Sequence, residues 1–151
     1  MDTLTDEQQR RKQWMAALSR ALPEEVEQAW EETADQPGYT FLRRPQTGLA
    51  MVRGKTGPGG QAFNLGEMTM TRALVRLDSG TVGHGYVAGR RPRHAELCAV
   101  FDALAQEPQR SEDIRSRVIG TLEDAALQRK HTLVRQTGAT KVEFFTMVRG
   151  D

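Results

Sequence analysis

The stretch Glu67–Ala88, EMTMTRALVRLDSGTVGHGYVA, decides the fold. Glu67–Leu77 alternates in side-chain character at a period of two and is the longest strand candidate in the chain. Asp78-Ser79-Gly80 is a turn signal, and Thr81–Ala88 should return as the antiparallel partner. Gly83 and Gly85 stand two apart, so they share a strand face. Either another element packs closely there or the strand is weak. On the first strand, Met68, Met70, Arg72, Leu74 and Arg76 share one face. Two arginines among apolar residues are odd for a core and ordinary for the rim of an interface.

Working upstream, Tyr39–Arg44 reads as a strand ended by Pro45, and Thr47–Arg53 and Gln61–Leu65 as two more. Between them lies Met51–Gly60, MVRGKTGPGG, which contains the Gly-Lys-Thr of a phosphate-binding loop. The full motif needs Gly at 49, where Leu49 stands, and a helix afterwards, which Gly57-Pro58-Gly59-Gly60 cannot start. The stretch therefore reads as a turn joining two strands.

Helical patterns flank this strand-rich middle. Residues 6–20 place Trp14, Leu18 and Leu22 four apart, with Ala17 and Ala21 in the same stripe. Pro23 suits the first turn of a second helix, with Glu24 and Glu25 near its positive end and Val26, Ala29, Trp30 and Thr33 on its apolar side. Residues 92–106 form the clearest helix, with His94, Leu97, Cys98, Phe101, Leu104 and Ala105 on one face. Ser111 can cap a further short helix, Gly120 interrupts it, and Thr121 with Asp124 resembles a capping box for a last helix over about 122–137. The tail, Lys141–Asp151, reads as a strand apolar on both faces, partly covered by another chain. Helices, then strands, then helices predict an α+β fold: a mostly antiparallel sheet with an N-terminal helical pair and later helices packed on it. One domain over 1–151 is expected, with a helical arm (1–36) and an α+β body (37–151).

With 151 residues the chain can bury about two-thirds of its unfolded surface. Its 21 basic and 20 acidic residues leave a net charge of +1, which points to neither nucleic acid nor a membrane surface. The polar N-terminus, the lack of a long apolar run and the single cysteine, Cys98, favour the cytoplasm.

Candidate chemistry is sparse. Arg90, Arg91 and Arg93 crowd the start of the 92–106 helix, where cations are disfavoured. They are either a solvated cluster or compensated by an anion, a phosphate or a partner's acidic residues. His94 and Cys98 stand four apart, but zinc needs three or four ligands, and on an apolar face a free cysteine is a small hydrophobe. No metal is expected. Glu96 points away from the apolar stripe and could act at a surface. No complete active site can be assembled from these residues.

Four stretches nevertheless carry a resemblance. They are Trp14-Met15; Thr71–Leu77 with Gly80-Thr81; Gly89-Arg90 with His94–Ala99 and Asp102–Leu104; and Phe144–Asp151. In this order they resemble the PhnG family, whose members are components of the bacterial carbon–phosphorus lyase core complex. Residues 54–60, Arg91 and Arg93 lie outside the family pattern. The resemblance implies a role in phosphonate breakdown within a two-fold symmetric complex with subunits H, I and J. Together with the H and I subunits and an ATPase-like L subunit, such a chain would convert ATP and an alkylphosphonate into ribose 1-alkylphosphonate 5-triphosphate, displacing adenine. The I subunit would carry the nucleosidase-like chemistry. The iron–sulfur cluster and S-adenosylmethionine would belong to the J subunit alone, leaving this chain without a cofactor and not catalytic by itself. Trp14, Trp30, Arg76, Phe145, Met147 and Arg149 are then interface candidates. Two readings follow: a scaffold that positions the I subunit, or a contributor of Arg72, Arg90, His94 or Glu96 to a composite site for ATP or phosphonate. A free-standing small-molecule binding domain is a third.

Overall fold

The computed structural model describes residues 4–55 and 59–149, without the side chains of 62 and 138–149. The alternating stretch becomes β2 (Ala62–Leu77) and β3 (Val82–Ala88), which pair antiparallel around the Asp78–Thr81 turn. β1 (Tyr39–Lys55) pairs along the other side of β2, so the sheet order is β1-β2-β3. The expected break at Pro45 does not occur. Proline lacks an N–H for the ladder, but β1 is an edge strand and its register shifts between Arg43 and Gln46, which accommodates the ring. The turn expected over 51–60 lies partly outside the described residues.

Helices α1 (Asp6–Arg20), α2 (Pro23–Glu31) and α3 (Pro92–Gln106) supply the rest of the core. Thr5 opens α1 with a capping box, its hydroxyl accepting from the Gln8 amide and its own amide donating to the Gln8 side chain. α3 is buried along most of its length, from His94 through Ala105 except Glu96. One side packs on the sheet and the rest meets α1 and α2, with Trp30 of α2 edge-on to Phe101 and Tyr39. Trp14 and Trp30, expected at a partner surface, are thus in this chain's own core, 3% and 8% exposed.

The glycine pair on β3 marks a close approach. A Cβ on Gly83 would stand 1.9 Å from the Ala99 carbonyl oxygen, and one on Gly85 would stand 1.9 Å from that of Ala95. Gly83 and Gly85 meet Ala95, Ala99 and Ala103 of α3, all fully buried. Small residues on both sides let helix and strand backbones touch.

That approach brings a buried carboxylate to the strand edge. Asp102, fully buried on α3, accepts the His84 backbone N–H at 2.9 Å. It also accepts the Trp14 indole N–H at 2.8 Å and the Arg11 guanidinium at 2.9 and 3.2 Å. One turn later Gln106 donates to the Val82 carbonyl at 2.9 Å. Asp102 and Gln106 therefore occupy polar groups of an edge strand that would otherwise need water or another strand.

Past α3, helix α4 (Ser111–Asp113), a π-helical segment (Ile114–Ile119) and α5 (Gly120–Arg149) follow without interruption. Gly120 does not break the run, so Thr121 has no free helix N-terminus to cap. Its hydroxyl donates instead to the Arg117 carbonyl at 2.7 Å. Nor do residues 141–149 form a strand; α5 continues through Gly138 to Arg149. The period-two alternation there was ambiguous, because Val142, Phe145 and Val148 also recur at helical spacing, and a single glycine costs a helix only about 1 kcal/mol.

Three stability outcomes follow from this architecture. Gly85→Ala should cost at least the roughly 1–3 kcal/mol of core overpacking, since the obstacle is backbone. Gly48→Ala, with open space around it, should be near neutral. Asp102→Ala strands the Arg11, Trp14 and His84 donors together and should cost about 3–5 kcal/mol. Urea unfolding of the full chain measures all three.

Candidate functional site

Helices cover one face of the sheet. Thr71, Ala73, Val75 and Leu77 of β2 point toward α3 and are buried, whereas Arg72 and Arg76 on the opposite face are exposed. Register places that bare face in rows. Leu74 stands between Arg43 of β1 and His84 of β3, and Arg72 stands between Gln46 and Tyr86. Arg43 and Arg72 are therefore diagonal neighbours, about 7–8 Å apart at the backbone, within reach of a common ligand.

α1 runs beside this face and closes a cleft of about 960 Å³ against it. Gln8, Arg11, Lys12 and Met15 form the helical wall, and Arg43, Arg72, Leu74, His84 and Tyr86 the sheet wall. Arg11 is committed to Asp102. Among the described residues, Lys12, Arg43 and Arg72 have no carboxylate within salt-bridge distance and no acidic side chain lines the cleft. The arrangement can hold an anion.

Of the four residues singled out for a composite site, only Arg72 reaches this cleft. His94 is in the core, its Nε2 2.9 Å from the Leu18 carbonyl oxygen, which can only accept, so Nε2 carries the proton. Burial lowers its pKa and keeps the ring neutral. Cys98, one turn on, is also buried, which pushes its thiol up, and no group of three or more metal-ligating side chains forms among the described residues. Glu96 accepts the Tyr39 hydroxyl at 2.5 Å and lies 3.4 Å from Arg93, tying β1 to α3. Arg90 is exposed on the loop before α3.

Of the arginine cluster, Arg93 is compensated within this chain: Glu27 of α2 receives it through two hydrogen bonds of 3.0 and 3.2 Å, while Arg90 and Arg91 meet no carboxylate among the described residues. Arg76 is exposed on the bare face but outside the cleft. The side chains of Phe145, Met147 and Arg149 lie outside the described residues.

A second feature was not foreseen. β3 pairs only with Met70–Arg76, so the β1–β2 hairpin beyond Gly48 and Met70 projects as a two-stranded arm. Leu49 and Met51 continue the strand face that carries Thr47 and Thr71, but past the reach of α3. They are 70% and 53% exposed, with Phe63 and Leu65 also exposed near the tip. The sequence signal was present in the alternation of Leu49 with Met51 and Phe63 with Leu65. It reads as an ordinary half-buried strand until the third strand is seen to stop short.

Fold and surfaces together define a small α+β domain with a one-sided sheet, a cationic cleft and a bare apolar arm. A family model described as phosphonate metabolism protein PhnG matches residues 9–150. Over 144 residues the chain is 46% identical to alpha-D-ribose 1-methylphosphonate 5-triphosphate synthase subunit PhnG of Rhizobium meliloti (strain 1021), covering 93% of this chain and 90% of that protein. The chain belongs to the PhnG family.

The Tyr39–Glu96 contact gives a spectroscopic outcome. Burial first, then the Glu96 hydrogen bond, raise the Tyr39 phenol from 10 to about 12. A folded pKa above the unfolded one stabilises the fold fully below pH 10, and this contribution is lost as pH rises through about 12. Ultraviolet titration of phenolate should show a step near pH 12 that Tyr39→Phe removes and Glu96→Gln moves downward.

Proposed function

We propose that this chain acts in phosphonate breakdown as the PhnG-type component of an assembly that makes ribose 1-alkylphosphonate 5-triphosphate from ATP and an alkylphosphonate. Its role there is accessory: it stabilises and positions the nucleosidase-like I subunit, alongside the H and J subunits and the ATPase-like L subunit, in the cytoplasm. The name of the R. meliloti relative supports the pathway. The observation that carries the accessory role is the β1–β2 arm. An isolated two-stranded hairpin is marginal in water, and one that bares Leu49, Met51, Phe63 and Leu65 is suited to burial against another protein. His94 supports the same reading, since its ring is turned into the core onto the Leu18 carbonyl rather than toward a cleft.

Co-expression with the cognate I subunit, followed by size-exclusion chromatography and an assay for adenine release from ATP and methylphosphonate, tests this. Co-elution, with release only when both chains are present, is expected. Leu49→Asp with Met51→Asp should abolish co-elution without unfolding the chain, because neither side chain is in the core. A monomer that ignores the I subunit, or release that does not need this chain, would overturn the reading.

A further inference from the structure

We infer that the cleft between α1 and the bare sheet face binds an organic polyphosphate. Its phosphate chain would lie on Lys12, Arg43 and Arg72, and its less polar body along Met15, Leu74 and Tyr86. Three observations converge. The first is charge. The chain holds 20 acidic against 21 basic residues, yet no acidic side chain among the described residues lines this concavity. Arg43 and Arg72, as diagonal neighbours, stand within a Debye length of each other, so their repulsion is not fully screened at physiological salt. An anion between them removes that repulsion, and the two planar guanidinium forks match the oxygens of adjacent phosphoryl groups.

The second observation is size. About 960 Å³ is at the upper end of small-molecule pockets, far more than a lone phosphate needs. The third is the gradient of chemistry across the cleft. Gln8 and Lys12 lie one helical turn apart and offer donors from the α1 wall. Met15 lies further along α1 and lines the same cleft as Leu74 and the half-exposed Tyr86, 48% accessible and free to lie against a flat or apolar group. A cationic part next to an apolar, aromatic part fits a molecule with an anionic chain and an organic body. Arg72 joins the two, since it is paired with Tyr86 across β2 and β3.

The phosphate-bearing class of ligand stands on these residues alone. The choice of ATP as the probe rests on the proposed function. Calorimetric titration of the full chain with ATP and, separately, with inorganic triphosphate is the experiment, repeated at low and high salt. Both probes should bind, ATP more tightly, and both should weaken as salt rises. Arg43→Glu with Arg72→Glu, both on an exposed face, should lower ATP affinity by at least about tenfold, the loss of charge-assisted hydrogen bonds to phosphate. Lys130→Glu on α5, away from the cleft, should leave it unchanged.

Backbone amide shifts at Arg72, His84 and Tyr86 during the ATP titration should locate the ligand. Equal affinity for both probes would overturn the seating of an organic body on Tyr86. Absence of binding at millimolar ATP, or full binding by the double variant, would overturn the site. So would a double variant that loses only its association with the I subunit, because the cations would then face an acidic partner surface. ATP binding by a chain that fails to co-elute with the I subunit would support the site while removing the accessory reading, so the two can fail separately.

Discussion

The Asp102 carboxylate is the point on which the three parts of this chain meet. It sits fully buried on α3 and receives donors from a side chain of α1, a second side chain of α1 and the backbone of β3. A buried charge is tolerated only when paired and hydrogen-bonded, and here both requirements are met at once. The condition is geometric. The carboxylate reaches the His84 amide because Gly83 and Gly85 let the α3 backbone come close to β3, with alanines at the contact. Larger side chains on either surface would push the helix outward and leave the amide, the indole and the carboxylate without each other.

This constraint also shapes the surfaces. Asp102 holds Arg11 and Trp14, so α1 is fixed beside the sheet edge at β3. One side of α1 is used in the core and the adjoining side overhangs the bare sheet face. The cleft is what remains between them. Because α3 spans only the region where β3 exists, the hairpin of β1 and β2 outruns its cover, and its apolar residues project. Core, cleft and arm are thus consequences of one helix docked tightly on one short strand.

Much of the architecture was readable from residue order. The helix over 92–106 announces itself by its apolar stripe and by Pro92, and the β2–β3 turn by Asp78-Ser79-Gly80. Gly83 and Gly85 pointed to a close contact or a weak strand, and only the packed helix decides between these. Asp102 could have been noticed as a charge inside the stripe formed by Cys98, Phe101 and Ala105, a position that requires partners. The helical tail was not legible, because its residues fit both periods. The cleft was not legible either: Lys12, Arg43, Arg72 and Tyr86 come from four elements, and only strand register and the placing of α1 bring them together. The tryptophans misled for a related reason. Their position near the N-terminus suggested an arm, whereas Trp14 is drawn inward by Asp102 and Trp30 by Phe101 and Tyr39.

Native-state hydrogen exchange at the His84 amide tests the central claim most directly. His84 lies on an edge strand, where an amide that faces water exchanges readily. If the Asp102 carboxylate holds it, the amide should exchange only through global unfolding, at the rate of the slowest core amides of α3. Exchange at the rate of an open strand edge would show that Asp102 does not join helix to sheet, and would contradict the account.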